Sequence, residues 1–183
     1  MLISKTLRGE FGGAMAMLEK ALVNFRQTEP QVLQAFSAVS GLDARETAAA
    51  FSPRTLPRLR IRGLGAGTLG RFDANESKFV TLDMALINAF ETPGPYLRNH
   101  QEEHGNMGVA DIIVLTAMHE MVHWARHAKR LSKSYCRYDS DKGDCQYTPC
   151  KAGCRIEAGY AFEARLGAVY PQLRPSGNSC AVG

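Results

Sequence analysis

Apolar side chains recur at helical spacing through the first fifty residues of the chain. The first run comprises Ala14, Met17, Leu18, Ala21, Leu22 and Phe25. Pro30 ends it, and a shorter helix is predicted over residues 31–39. Asp43 and Glu46 then have the spacing of a capping box, which predicts the start of a third helix. We expect a helical N-terminal part over residues 1–52 that contributes packing.

The pattern then changes to an alternation of apolar and polar residues. Residues 58–62 alternate in this way, and residues 78–83 also have a pattern typical of a strand. Each segment is therefore predicted to be a strand. The glycine-rich stretch between them lacks the Lys-Ser/Thr ending of a phosphate-binding loop and is interpreted as a turn-rich connection. Asp83 is placed to cap a short helix. We expect residues 53–91 to form a small antiparallel sheet region.

The longest helical pattern covers residues 108–131. Its first half is apolar on most faces, which is typical of a helix in the middle of a domain. Its last turn carries Lys129 and Arg130, cations that interact favourably with the carboxyl end of a helix. No internal repeat and no linker is visible, so the sequence predicts one α+β domain over residues 1–183.

Length and composition narrow the classes of protein that the chain can form. Its 183 residues suffice for one domain, and 45% hydrophobic with 22% charged residues exclude wholesale disorder. The net charge of +4 comes from scattered basic residues, so no nucleic-acid partner is predicted. The chain has no apolar stretch of about 18 residues, which predicts no membrane span. Its first twenty residues lack an uninterrupted apolar segment, so we also expect no signal peptide.

The candidate chemistry lies on the long predicted helix, in the motif HEMVH from His119 to His123. Residues four apart on a helix lie one above the other, so both imidazoles point the same way and can bind one zinc ion. Glu120, about 100° further round the helix, flanks that ion. There it can take a proton from a zinc-bound water and pass it to a leaving amine. The motif predicts a zinc metallopeptidase with His119 and His123 as ligands and Glu120 as general base.

A catalytic zinc site of this kind needs a third protein ligand. Lys129 stands where the metzincin class has a histidine, which excludes that class. His127 lies about 12 Å from His119 along the helix axis and is interpreted as a surface or supporting residue. His100 and His104 lie in a segment rich in Gly, Pro and Asn and are interpreted as solvated. The third ligand is therefore expected among acidic residues downstream.

Two glutamates on a helix predicted over residues 156–168 are the candidates for that ligand. Glu157 and Glu163 lie about 240° apart around its axis, so only one faces the metal. Glu157 is favoured because it shares a face with small alanines; Glu163, beside Arg165, has a solvated pattern and is the alternative. Tyr160 is a candidate hydrogen-bond donor to the oxyanion, although a buried tyrosine without that role is favoured.

Four cysteines fall within 19 residues of a predicted loop, residues 132–155, between the two helices. The loop is rich in Asp, Gly, Pro and Lys and has no periodic apolar face. Disulfides that staple it in an oxidising compartment are the favoured interpretation, with reduced thiols and a structural metal as alternatives. Their pairing is open. The cysteines are Cys136, Cys145, Cys150 and Cys154, with Cys180 further downstream.

Three stretches of the chain resemble the metallopeptidase toxin domains of bacterial polymorphic toxins. They are HEMVHW at His119–Trp124, the E-x-G-x-x-F-E run at Glu157–Glu163 and TLDMALINAFE at Thr81–Glu91. The chain is similar in particular to the zinc-peptidase extension of certain VgrG spike proteins of type VI secretion. The likeness covers about Thr81–Gly167. The cysteine-rich insert departs from it.

The resemblance implies a zincin-like fold in which His119, His123 and Glu157 bind zinc and Glu120 is the base. It also implies an exported effector whose partners are a peptide or protein substrate in the target cell, a secretion-spike carrier and a cognate immunity protein. In zincin-like folds an extended peptide lies along an edge strand beside the metal. The candidates for that strand are Leu59–Arg62 and Phe79–Leu82, of which Phe79–Leu82 is favoured.

The favoured hypothesis is a zinc endopeptidase toxin, delivered without a signal peptide, that acts in the periplasm of a target cell or is secreted. A housekeeping zincin peptidase is one alternative. A binding module with a structural metal site is another, and there Glu120→Ala would leave every phenotype intact. The substrate, its bacterial or host origin and the oligomeric state do not follow from the sequence.

Overall fold

The computed structural model describes residues 1–92, 108–136 and 155–169, which contain helices and two small sheets. The helices are α1 (Lys5–Glu10), α2 (Gly12–Thr28), α3 (Pro30–Ser40), α4 (Ala44–Ala50), α5 (Met84–Glu91), α6 (Val109–Ala128) and α7 (Ala158–Val169). The strands are β1 (Arg58–Arg62), β2 (Gly70–Phe72), β3 (Phe79–Asp83), β4 (Ser134–Cys136) and β5 (Arg155–Glu157). A single 3-10 turn, Ala74–Glu76, joins β2 to β3. The architecture confirms the α+β class.

The helix boundaries follow local signals in the sequence. The predicted capping box at α4 is confirmed: Asp43 Oδ1 accepts from the Glu46 amide at 2.8 Å, and Glu46 Oε2 accepts from the Asp43 amide at 2.9 Å. Asp83 likewise caps α5 by accepting from the Ala85 amide at 2.9 Å. At the end of α3, Gly41 has φ of 76°, a left-handed conformation that suits glycine. These caps satisfy backbone groups that a helix end leaves without partners.

The main sheet is mixed, so the prediction of an antiparallel sheet is wrong. Its strand order is β1-β3-β2, with β1 parallel to β3 and β2 antiparallel to β3. The short connection through residues 73–78 makes β2 and β3 a hairpin, whereas the glycine-rich connection 63–69 brings the chain from β1 to the far side of β3. Alternation of apolar and polar residues marks a strand but does not encode its direction.

The order of the strands also overturns the expected docking strand. Phe79–Leu82 belongs to β3, which is paired on both sides, and most of β3 is buried. A strand that is paired on both sides has no free hydrogen-bonding edge for a substrate. The third strand, β2, was not predicted because it is only three residues long and begins at a glycine.

The central element of the core is α6. Twelve of its residues are buried, and it packs against α2, α3, α5, α7 and the main sheet. Phe36 of α3 joins this core to α7 by an edge-to-face contact with Phe162, ring centroids 5.7 Å apart. Fully burying one such side chain contributes about 1.5–3 kcal/mol. Helices of the N-terminal part thus pack against α6 and α7 and fix their positions.

A buried arginine reinforces the end of α6. The Arg126 side chain is 1% exposed, and its guanidinium donates to the Val39 carbonyl at 2.7 Å and to the Ser132 carbonyl at 2.6 Å. A buried charge is costly without such acceptors. Arg126 therefore ties the carboxyl end of the motif helix to the end of α3 and to the segment that leads into β4.

Part of the sequence lies outside the described residues. The part that is not described contains His100, His104, Cys145, Cys150, Cys154 and Cys180. The disulfides therefore remain a prediction. Within the described ranges, no helix is long and apolar enough to cross a membrane.

Candidate metal centre

The two motif histidines face the same side of α6. Their Nε2 atoms lie 3.3 Å apart, and the side chains of His119 and His123 are 15% and 12% exposed. Spacing of four residues places them one turn apart on the helix, as the motif predicted. Two ring nitrogens therefore converge on one point near the surface of the core.

Glu157 approaches this point from another element. Its carboxylate lies 3.3 Å from His119 Nε2 and also contacts His123 Nε2. Glu157 ends β5 and does not lie on the helix, contrary to the prediction. The same carboxylate accepts from the amides of Gly159 at 2.9 Å and Tyr160 at 3.0 Å, so it caps α7 while facing the histidines.

His119, His123 and Glu157 form a donor set that fits a divalent metal ion. One ligand atom of each lies within 4.8 Å of the others, and among the described residues this group alone meets that condition. Two imidazole nitrogens and one carboxylate oxygen, with a further position open to the cleft, are typical of catalytic zinc. The structure thus brings together the three side chains that the sequence selected.

The charges around the histidines favour a cation between them. Burial by itself would lower the pKa of His119, but hydrogen bonds with Glu157 and Glu163 outweigh it and raise that pKa to about 10. Burial would raise the pKa of Glu157, but contacts with His119 and His123 lower it well below its usual range. The carboxylates therefore stabilise positive charge at this position, which is the electrostatic condition for metal binding.

Glu163 contacts the opposite nitrogen of the same histidine. Its Oε1 lies 2.6 Å from His119 Nδ1, and its side chain is 12% exposed. The expectation of a solvated Glu163 is therefore wrong, because the carboxylate is turned inward onto the imidazole. A carboxylate at this nitrogen fixes the ring orientation and leaves Nε2 free to bind a metal. Both glutamates thus contact His119, Glu157 at Nε2 and Glu163 at Nδ1.

Two glycines that the sequence did not single out permit these approaches. A Cβ at Gly159 would lie 2.2 Å from His119 Nε2, and a Cβ at Gly70 would lie 2.6 Å from Thr116 Cγ2 and 2.9 Å from Glu120 Cγ. No real side chain tolerates such distances. Gly159 therefore lets α7 reach His119, and Gly70 lets β2 reach the motif helix.

Glu120 lies beside β2 in the wall of the cleft. Its side chain is 8% exposed, and burial raises its pKa above the usual range, although His119, His123 and the backbone of Phe72 act in the opposite direction. The cleft has a volume of about 260 Å³. It is lined by β2 on one side and by Glu120, His123, Lys133 and Glu157 on the others. The predicted base and two of the predicted ligands therefore open onto one cavity.

A larger cleft, of about 570 Å³, lies between the glycine-rich connection 63–69 and the start of α5. None of the residues of the metal centre lines it. Its lining is mainly apolar, and its carboxylate, Asp83, is already engaged as a helix cap. Size alone does not mark a reactive site, so the chemistry is assigned to the smaller cleft, where titratable groups converge.

Two further residues of the sequence analysis lie near the centre. Tyr160 is 63% exposed and packs edge-on against His119, with ring centroids 5.2 Å apart, so the expectation of a buried tyrosine is wrong. The ring of His127 packs against Phe72 with centroids 5.4 Å apart, in agreement with its interpretation as a surface residue. Tyr160 is thus an exposed residue in direct contact with one of the motif histidines.

A helix with two facing histidines, a carboxylate from a neighbouring strand and a buried glutamate between them define the class of metallopeptidases. The chain belongs to the metallopeptidase toxin 3 family, which it matches over residues 10–166. No curated protein and no solved structure matches it. The match begins well before Thr81, so the N-terminal helices are part of the family domain and the predicted extent of the resemblance was too short. The chain is accordingly a metallopeptidase toxin domain.

Proposed function

We propose that this domain is a zinc peptidase toxin in which His119, His123 and Glu157 hold the metal and Glu120 is the general base. The observation that carries the proposal is the convergence of those three side chains beside a buried glutamate. When bound, a zinc ion in such a site acidifies a coordinated water and polarises the scissile carbonyl.

The chain's own residues supply the remaining steps. Glu120 accepts a proton from the attacking water and donates it to the leaving amine. Burial raises the pKa of Glu120, which makes its carboxylate a better acceptor for that proton. Glu163 holds His119 in one orientation through Nδ1. Tyr160, whose ring packs against His119, is the proposed hydrogen-bond donor to the oxyanion.

The substrate is proposed to add to β2, the strand that lines the cleft. The Asp83 amide donates to the Leu69 carbonyl at 2.8 Å, so the main-chain groups of Leu69 and Arg71 point toward β3. Main-chain groups alternate along a strand, so those of Gly70 and Phe72 point to the other edge of β2, which no strand among the described residues pairs. A peptide that pairs there runs past Glu120, and its carbonyls reach the metal centre.

Delivery and partners are proposed from the toxin character of the family. A peptidase toxin needs a carrier that takes it to the target cell and an immunity protein that protects the producer. The cysteine-rich segment supports an oxidising destination, for which the target periplasm is proposed, and a VgrG-type spike is the proposed carrier. A toxin family disfavours the housekeeping peptidase as an alternative.

The proposal is tested on the purified chain by zinc analysis and by cleavage of an unfolded protein such as casein. We expect about one zinc per chain, lost in His119→Ala/His123→Ala, and cleavage that disappears in Glu120→Gln while zinc remains. A wild-type chain without zinc, or an active Glu120→Gln, contradicts it. Loss of zinc in Glu120→Gln would make Glu120 a ligand and equally overturn the assignment.

The destination is tested in growing cells. Wild type and Glu120→Gln are each expressed with and without a periplasmic export signal. Growth arrest is expected for exported wild type alone. Equal arrest without export would contradict the periplasmic target, and equal arrest by Glu120→Gln would favour a binding module over an enzyme.

A further inference from the structure

The cleft carries two cations that the reaction does not use, Arg71 and Lys133. We propose that they select substrates with a carboxylate close to the scissile bond, so that the domain prefers peptides with an acidic residue next to the cleavage site. This inference rests on the proposed peptidase function and names the class of its substrate. Neither residue belongs to the metal centre.

Arg71 lies on the sheet face that a docked peptide would share. Its neighbours Gly70 and Phe72 face α6, where a Cβ at Gly70 would touch Thr116 and where Phe72 is buried. Side chains alternate along a strand, so Arg71 is on the opposite face, where it is exposed. A residue of a peptide paired directly opposite has its Cβ about 5 Å away, within reach of the guanidinium.

Lys133 lies on the other wall of the cleft. It directly precedes β4, and its carbonyl accepts from the Ala158 amide at 3.0 Å, which fixes its backbone beside the end of β5. Lys133 is exposed and lines the same cavity as His123 and Glu157. A peptide in the cleft would therefore pass between two cations.

Two of the acidic groups of the site, Glu157 and Glu163, are already engaged by histidines. Glu157 contacts both motif histidines and Glu163 contacts His119, whereas neither Arg71 nor Lys133 has an ion-pair partner among the described residues. Arg60, on the same face of the sheet, shows the contrast, because its guanidinium is held by Glu76 at 2.5 and 2.6 Å. Arg60 is committed to the fold, while the two cleft cations are available to a ligand.

The expected preference is moderate and sensitive to salt. Ion pairs at exposed positions contribute little individually, so two of them should raise kcat/KM for an acidic peptide on the order of tenfold over its neutral analogue. Most of the difference should lie in KM, since the contacts are present in substrate and transition state alike. Added salt should reduce it, because exposed charges are screened.

The test uses the full, zinc-loaded chain and a library of peptides blocked at both ends and randomised at the central positions. Sequencing of the products should show enrichment of Asp and Glu at one or two positions beside the cleaved bond. Matched peptides with Glu, Gln or Lys at that position then give the ratio of kcat/KM. A further pair, with a free or an amidated carboxyl end, distinguishes a side-chain carboxylate from a terminal one.

Three variants assign the preference to the cleft. Arg71→Gln and Lys133→Gln should each reduce the ratio for Glu over Gln peptides, and the double variant should bring it close to one. Arg58→Gln removes an equally exposed arginine from β1, at the opposite edge of the sheet, and should leave the ratio unchanged. Zinc content of every variant reports on folding at the metal centre.

The outcomes separate the two proposals. Equal cleavage of Glu and Gln peptides by wild type, or an undiminished ratio in the double variant, overturns the acidic preference alone. A zinc-loaded chain that cleaves neither the library nor casein overturns the peptidase function, and the preference with it.

Discussion

The helices α1–α4 and the surroundings of His119 differ in how their buried positions are filled. Along α2 and α3 the buried residues are nearly all apolar, with Leu18 and Phe36 at 0% exposure. Around His119 the contacts are polar, from Glu157 and Glu163, and the close approach of α7 depends on one glycine. Many interchangeable contacts support the first region and a few specific atoms support the second.

Substitutions in the two regions should therefore affect different properties. Those in α1–α4 should change the stability of the fold, and those at His119 should change the metal centre. Loss of one apolar side chain in α1–α4 lowers the free energy of unfolding and leaves the positions of the ligand atoms almost unchanged. Loss of one polar contact at His119 displaces ligand atoms while most of the core remains intact.

The largest effect is expected for Glu120→Gln. It should lower kcat by about 10²–10⁴-fold, because the amide cannot accept the proton of the attacking water. The melting temperature should not fall, because the side chain lies against β2 and burial already opposes its charge. Steady-state cleavage assays and thermal unfolding of the same preparation check both. A large loss of stability would show that site and core are not separable here.

Leu18→Ala tests the opposite region. Leu18 lies in α2 at 0% exposure, so its truncation should lower the free energy of unfolding by about 2–5 kcal/mol. Denaturant unfolding measures this, and kcat per folded, zinc-loaded molecule should match wild type. A parallel loss of kcat would mean that packing in α2 is transmitted to the motif helix.

Gly159→Ala tests the close approach of α7 to His119 on α6. A Cβ 2.2 Å from His119 Nε2 must displace the imidazole or the helix, and a misplacement of this size is expected to weaken zinc binding or cleavage on the order of 100-fold. Competition with a chromophoric chelator gives the affinity. The matched control is Gly12→Ala, where nothing lies within 4 Å of the added Cβ and affinity should not change.

A smaller loss is expected when the contact on the far side of the imidazole is altered. Glu163→Ala removes the acceptor at His119 Nδ1 and should lower zinc affinity by about 10–100-fold, while Glu163→Gln, which keeps an oxygen acceptor, should retain more of it. Zinc titrations of both variants measure the difference. Complete loss of zinc in both, with full zinc in Glu157→Ala, would exchange the proposed roles of the two glutamates.

The smallest effect is expected at the capping box of α4. Asp43→Ala removes the acceptor for the Glu46 amide and should cost about 1 kcal/mol of stability. Cleavage activity and zinc content should be those of wild type. Denaturant unfolding measures the stability, and zinc analysis measures the metal content. A change in zinc content would show that the metal centre depends on the capping of α4.

Sequence reasoning succeeded where the signal is local. The boundaries of α3, α4 and α5 follow from Pro30, Asp43 and Asp83, each of which acts within one turn of its own helix. The facing of His119 and His123 follows from helical periodicity alone. In each case the residues that carry the information are neighbours in the chain.

It failed where contacts join distant segments. The direction of β1 relative to β3 depends on the path of residues 63–69, which alternation of apolar residues does not record. Glu163 gave a solvated pattern because its partner, His119, is 44 residues away. Gly159 lies inside a helix, where no turn requires a glycine. Its role becomes clear only from the His119 imidazole that packs against it in the folded chain. A glycine two residues after an expected acidic ligand is the signal that could have found it.

The hydrogen bond from Arg126 to Val39 joins the helix that bears the two histidines to a segment encoded more than eighty residues earlier. A fragment that begins after α3 would deprive the Arg126 guanidinium of one of its acceptors, which should cost about 1–3 kcal/mol, a substantial share of the stability of a typical domain. The gene segment for the metal centre should therefore keep the codons of α3 ahead of those of the motif helix. Proteolytic cleavage between α4 and β1, by contrast, would spare the hydrogen bond as long as the two pieces stay associated.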